Sequence, residues 1–215
     1  MPQFPSFVDS LPITRSALEY AAEHHEGQRR DSDDAAFILH PLEVAQLLRG
    51  RGYPDEVVAA GVLHDSLEDT DATPLELEQR FGPAVAALVC SVSEPSAGGT
   101  YAQRKARLRA ALSHAGPDSL AVYAADKVAK VRELRMTLAR DWSAAVRPET
   151  ADKLHHYWAS LTLLESLTQQ DPFVEQLRFE LEALATLPPR TPGTLPVNTQ
   201  ARTPAPAGTP PTPRA

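Results

Sequence analysis

No stretch of this 215-residue chain alternates apolar and polar residues in the manner of a half-buried strand. Apolar residues recur instead at helical spacing, and proline or a small polar residue repeatedly opens the run. SALEYAAEHHEG places Leu18, Ala21 and Ala22 on one face and stops at Gly27. HPLEVAQLLRGRG and YPDEVVAAGVLHDSLED begin at Pro41 and Pro54, where a missing N–H does no harm. TPLELEQRFG carries Thr73 as a cap before Pro74. GPAVAALVCSV, TYAQRKARLRAALSHAG, GPDSLAVYAADKVAKVRELRMTLARDW, RPETADKLHHYWASLTLLESLTQQ and DPFVEQLRFELEALATL continue the pattern. The expected fold class is all-α, an irregular multi-helix domain of about eight or nine helices over roughly residues 10–187. Domain boundaries are set at 1–187 and 188–215. The final segment holds nine of the 20 prolines and no aromatic residue. It has little to bury, and we expect a disordered, Pro-rich C-terminal tail.

Composition narrows the function. Net charge is −7, and the segment from Pro188 contains three arginines and no acid, leaving 18 basic against 28 acidic residues in the body. An acidic body argues against general nucleic-acid binding, which needs clustered Lys and Arg. It leaves room for one small nucleotide in a local basic pocket. No apolar run reaches membrane-spanning length. MPQFPSFVDSLPITR lacks the basic start and apolar stretch of a secretory signal. Cys90 is the single cysteine, which fits a reducing, cytoplasmic location. Its apolar neighbours in AVAALVCSV suggest a core thiol. A homo-oligomer and a partner for the tail both stay open.

Several polar residues sit where burial is expected. His40 follows an apolar approach and precedes Pro41 at a helix start. His64 and Asp65 end the apolar run AAGVL. Asp126 lies among Val122, Ala125 and Ala129. A buried carboxylate is neutralised, paired with a base or bound to a metal; pairing and a metal both explain Asp126. Two imidazoles and two carboxylates form a mixed nitrogen and oxygen set suited to a divalent transition metal. Adjacent helical residues point about 100° apart, so His64 and Asp65 can share an ion only at their common edge. If the helix persists, Glu68 returns to the same face, with Asp69 beside it. A carboxylate there can orient a metal-bound water or take its proton.

Taken together, HEGQRR (25–30), ILHPLEVAQLL (38–48), VLHDSLEDTDAT (62–73), RFGPAVAALVCSVSEP (80–95), YAQRKARL (101–108) and AVYAADKVAKVREL (121–134) resemble the HD-domain metal-dependent phosphohydrolases. The similarity is greatest to the RelA/SpoT-type hydrolase domains and the small single-domain alarmone hydrolases. The resemblance implies an HD-domain fold and four metal ligands, His40, His64, Asp65 and Asp126. It implies Glu68 and Asp69 as the pair that positions and activates water, and Mn²⁺ as the usual cofactor. Arg30 matches a residue that packs on a nucleotide base, and Lys127 is a candidate phosphate contact. The implied reaction is water-driven removal of pyrophosphate from the 3′ position of a guanosine 3′-diphosphate such as (p)ppGpp, without an accompanying synthetase domain. The alternative is a catalytically weakened nucleotide-binding or sensing module of the same fold.

Two departures from the family pattern stand out. Lys130 replaces an asparagine four residues after Asp126. Three roles are open to it: pairing with Asp126, reaching a substrate phosphate, or adding positive charge that weakens the metal site. The loop DSDDAAF before His40 lacks the usual Gly-Glu-Pro-Tyr. His25 is read as core support. Trp142, Tyr157 and Trp158 are read as packing.

Overall fold

In the computed structural model, residues 4–95, 98–168 and 171–186 are described; the Pro-rich segment 188–215 lies outside them. Ten α-helices follow one another among the described residues: α1 (Pro12–His24), α2 (Leu39–Gly50), α3 (Asp55–Leu63), α4 (Ser66–Asp69), α5 (Pro74–Phe81), α6 (Pro83–Val92), α7 (Tyr101–Leu112), α8 (Pro117–Arg140), α9 (Pro148–Leu167) and α10 (Pro172–Ala185), with two short 3₁₀ turns at Ser6–Ser10 and Trp142–Val146. The only β-type pairing among these residues is an isolated bridge between Arg29 and Ala36. Six helices open on proline at their first position, at Pro12, Pro74, Pro83, Pro117, Pro148 and Pro172. Thr73 caps α5 as expected, its side chain accepting from Glu76 N–H at 3.2 Å.

The all-α expectation holds, with one informative break. The segment read as a single helix from Tyr53 to Asp69 divides at His64 and Asp65 into α3 and α4. Asp65 has φ −90° and ψ −7°, the sparsely populated region between helix and strand where site residues are often found. Glu68 therefore does not continue the helical face of His64.

Helix α8 is the axis of the fold, packed against α2, α3, α6, α9 and α10. Every residue from Ser119 to Ala129 is buried, so this half of the helix is enclosed on all sides. Helices α2 and α3 cross closely. An added Cβ at Gly61 would lie 2.4 Å from Leu48 Cδ1 and 3.2 Å from Val44 Cγ1. His40, Val44 and Leu48 share one face of α2 at four-residue spacing, and His64 lies one turn after Gly61. The close approach at Gly61 thus brings the two histidines together. Asp55, at the start of α3, caps α1 by accepting from the N–H groups of Ile13 and Thr14, both at 2.9 Å.

Two packing expectations need correction. Cys90 is exposed, because Val85, Ala86, Val89 and Val92 form the inward face of α6 and Cys90 falls outside it. Trp158 is 41% exposed, whereas its neighbour Tyr157 turns inward.

Gly61→Ala should destabilise the fold by about 1–3 kcal/mol despite alanine's better helix propensity, because its methyl must displace buried Leu48. Chemical denaturation measures this; an unchanged midpoint would contradict the close crossing.

Candidate metal centre and cleft

Three separate elements deliver four donors to one place. His40 comes from the first turn of α2, His64 and Asp65 from the α3–α4 break, and Asp126 from the buried part of α8. The Nε2 atoms of His40 and His64 lie 3.2 Å apart. Asp126 Oδ1 is 3.2 Å from the first and 3.3 Å from the second. Asp65 Oδ1 is 3.2 Å from His64 Nε2, and its Oδ2 is 3.6 Å from His40 Nε2. The donor atoms of His40, His64 and Asp65 all fall within 4.8 Å of one another.

The groups behind the cluster fix its polarity. His64 Nδ1 donates to Gly61 O at 2.8 Å, and His40 Nδ1 lies 3.1 Å from Glu133 Oε1. With each Nδ1 facing an acceptor, each Nε2, once it carries no proton, offers its lone pair inward for a cation. Asp126 Oδ1 is buried and makes no well-formed hydrogen bond; its near polar neighbours are the two imidazole Nε2 atoms, and a cation among the three would satisfy it. Donor types and geometry fit a divalent metal.

Two lysines of α8 flank the cluster. Lys127 is ion-paired with Asp126 Oδ2, and its ammonium lies 4.6 Å from the Tyr123 ring centre. Lys130 pairs with Asp65 Oδ2 at 3.4 Å and sits 5.5 Å from the Phe37 ring centre. Of the three roles open to Lys130, pairing thus falls to Asp65 rather than Asp126. Burial disfavours charge on Asp65, Asp126 and His64, but attraction to neighbouring charges outweighs it. Asp65 is held well below the usual carboxylate range by His64 and Lys130, and Asp126 by Lys127 and His64. Against its own burial, His64 is pushed up to about 10 by Asp65 and Asp126.

Beside the cluster opens a cleft of about 1010 Å³, walled by the 28–37 loop, α7, α8 and α9. Seven basic and four acidic residues line it, a local positive balance in a chain of net charge −7. Lys127, Lys130 and Arg30 all line it. Arg30 is clasped by Asp33, with Nε donating to Oδ1 at 3.0 Å, and its other arm lies 3.7 Å from Glu133. The divergent DSDDAAF loop therefore closes on Arg30. Asp34 takes a left-handed conformation there, φ 59°, which aspartate tolerates better than most residues.

The acidic pair divides. Asp69 lines the cleft, and its carboxyl is raised by burial and by Asp65. Glu68 is engaged elsewhere: Oε1 accepts from Glu94 N–H at 2.7 Å, and Oε2 lies 3.9 Å from Lys105. Its carboxyl is also raised, chiefly by burial. His25 is buried against Phe37, as expected of core support. Glu133, which backs both His40 and Arg30, was missed in the sequence. Its signal was its place seven residues after Asp126, on the face of α8 that Lys130 also occupies.

A family model described as "HD domain" matches residues 17–162. The chain belongs to the HD-domain family. Within it, the chain is 34% identical over 138 residues to guanosine-3′,5′-bis(diphosphate) 3′-pyrophosphohydrolase MESH1 of Danio rerio, covering 63% of this chain and 76% of that protein. The Homo sapiens MESH1 is 35% identical over 130 residues, or 59% and 72% of the two chains. A guanosine-3′,5′-bis(diphosphate) 3′-pyrophosphohydrolase of Aquifex aeolicus is 45% identical over 78 residues, which is 36% of this chain and 11% of that longer protein. Among solved structures, a metazoan ortholog of SpoT superposes with a TM-score of 0.65 at 23% identity, covering 85% and 96% of the chains. That likeness establishes the HD fold. The lmo0812 protein of Listeria monocytogenes superposes with a TM-score of 0.62 at 26% identity over 69% and 96%. None of the described helices is long and apolar enough to cross a membrane.

Below about pH 10 the free site holds a proton on His64 that an entering cation must displace. Metal affinity should therefore rise with pH through the neutral range, by up to roughly tenfold per unit, with proton release. Calorimetry in buffers of different ionisation enthalpy measures both; affinity independent of pH would contradict the arrangement.

Proposed function

We propose that this HD domain is a metal-dependent phosphohydrolase that removes pyrophosphate from the 3′ position of guanosine 3′-diphosphates, (p)ppGpp or a closely related nucleotide. The observation that carries the reading is the convergence of two imidazole Nε2 atoms and Asp126 Oδ1 within 3.3 Å of one another, beside a cleft of positive balance. Similarity to pyrophosphohydrolases of the MESH1 type over most of their length supports the reaction class. Mn²⁺ is the cation we assign, in keeping with the mixed donor set. The single cysteine fits a cytoplasmic setting.

His40, His64, Asp65 and Asp126 would hold the divalent cation, which when bound would supply Lewis-acid polarisation and a lowered pKa for a nearby water. Asp69 faces the cleft with a raised carboxyl and takes the water's proton. Glu68, tied to Glu94 N–H and Lys105, anchors the short helix that carries Asp69 and acts as a positioning residue for it. The water oxygen bonds to the phosphorus that carries the ribose 3′ oxygen, the bond from that phosphorus to the 3′ oxygen breaks, and the 3′ oxygen takes up a proton to leave as the ribose hydroxyl while pyrophosphate is released. Lys127 and Lys130 set positive charge along the phosphates, and the flat guanidinium of Arg30, held by Asp33, offers a face for the base.

A second reading, a nucleotide-binding module with weakened hydrolysis, draws on Lys130, whose ammonium neutralises Asp65. The two separate on one substitution. On the sensor reading Lys130→Asn relieves the competition and raises turnover; on the enzyme reading it weakens nucleotide binding and raises KM.

Manganese-loaded protein should release pyrophosphate from ppGpp, and chelation should abolish the release. Asp69→Asn should lower kcat by about 10²–10⁴-fold while leaving bound metal at wild-type content. Intact ppGpp after incubation with metal-loaded wild type would overturn the proposal.

A further inference from the structure

His156 of α9 has no part in the mechanism above, yet it is built into the cleft wall. It is 2% exposed and lines the cleft with Tyr101, Lys105 and Lys127. Its ring meets Tyr101 edge-on at 6.1 Å between centres. Arg109 of α7 places NH1 2.6 Å from His156 Nδ1. A guanidinium carries only N–H groups and accepts no hydrogen bond, so Nδ1 is the acceptor. The neighbouring Ser160 hydroxyl leaves that assignment intact, because it donates to His156 O at 2.8 Å. An imidazole that accepts at Nδ1 and is neutral carries its proton on Nε2. Burial keeps the ring neutral, and Lys127, Lys105 and Arg109 reinforce it, so its pKa falls to about 2.

The Nε2–H fixed in this way has no partner and is shielded from bulk solvent. Buried polar atoms in folded proteins are nearly always paired. An unpartnered donor on a residue that lines a ligand cleft points to an acceptor that arrives with the ligand. The positive side chains around it select an oxyanion, and a neutral donor adds direction to their field without adding charge.

Building on the reading of the cleft as a nucleotide site, we infer that His156 is a specificity-determining binding residue whose Nε2–H donates to a phosphate oxygen of the substrate, next to the ammonium groups of Lys105 and Lys127. Arg109 is its positioning residue, since it sets which ring nitrogen carries the proton. The contact joins α7 and α9 across the nucleotide. It also keeps its strength across the physiological pH range, because the ring does not charge there.

The test uses full-length, manganese-free protein for ¹⁵N-histidine NMR and manganese-loaded protein for binding and kinetics. In wild type, His156 should be the neutral Nε2–H form from about pH 6 to 9, and inorganic pyrophosphate should shift its Nε2 resonance. His156→Phe keeps the ring and removes the donor. It should raise the pyrophosphate Kd and the nucleotide KM about tenfold to a hundredfold, with little change in kcat and unchanged metal content. His156→Gln restores an N–H and should recover part of the loss. An Nδ1–H or doubly protonated ring, or a wild-type Nε2 resonance indifferent to pyrophosphate, would overturn the inference without requiring any variant to fold. Hydrolysis of ppGpp by His156→Phe with wild-type kcat/KM would overturn it while leaving the proposed activity standing. Pyrophosphate binding through His156 in a protein that hydrolyses no nucleotide would support it while overturning that activity.

Discussion

A carboxylate oxygen at the centre of the fold organises everything around it. Asp126 Oδ1 is buried without a well-formed hydrogen bond, 3.2 and 3.3 Å from two imidazole nitrogens, in the long buried run Ser119–Ala129 of α8. A carboxylate in such surroundings is costly unless a positive group satisfies it. Lys127 serves its other oxygen; Oδ1 is left for whatever the histidines also face. The close crossing at Gly61, the backbone break at Asp65 and the acceptors behind each Nδ1 all aim donors at that one point.

Charge is balanced in two layers. Within the cluster, Lys127 and Lys130 offset Asp126 and Asp65, so the folded chain tolerates the site before a cation enters. Beyond it, the same lysines line a cleft whose positive balance opposes the negative sign of the whole chain. That local balance favours a small anion, whereas the net charge of the whole chain opposes a long nucleic acid. Each lysine thus pairs with a carboxylate of the cluster and also lines the cleft.

Much of this was legible in the sequence, for identifiable reasons. Helix starts were readable because proline and Thr73 mark them with local chemistry. His40, His64, Asp65 and Asp126 were readable because polar residues interrupt apolar runs, and the order of motifs separated a shared site from scattered hydrogen bonds. The break after Leu63 was not readable, since VLHDSLED contains no glycine or proline to mark an end and the apolar spacing runs on through Leu67. The partner of Lys130 was left open because spacing along α8 favoured Asp126, while the chain brings Asp65 in from another element. Glu133 and His156 were passed over for a related reason. Their partners, His40 with Arg30 and Arg109, are far away in sequence, and no local pattern announces a contact between helices.

The most direct measurement is anomalous diffraction at the manganese edge from crystals of the manganese-loaded protein. The account predicts one strong peak per chain, within about 2.0–2.3 Å of His40 Nε2, His64 Nε2, an Asp65 carboxylate oxygen and Asp126 Oδ1. A peak elsewhere, or no peak with Asp126 Oδ1 bonded to a protein group, would contradict it.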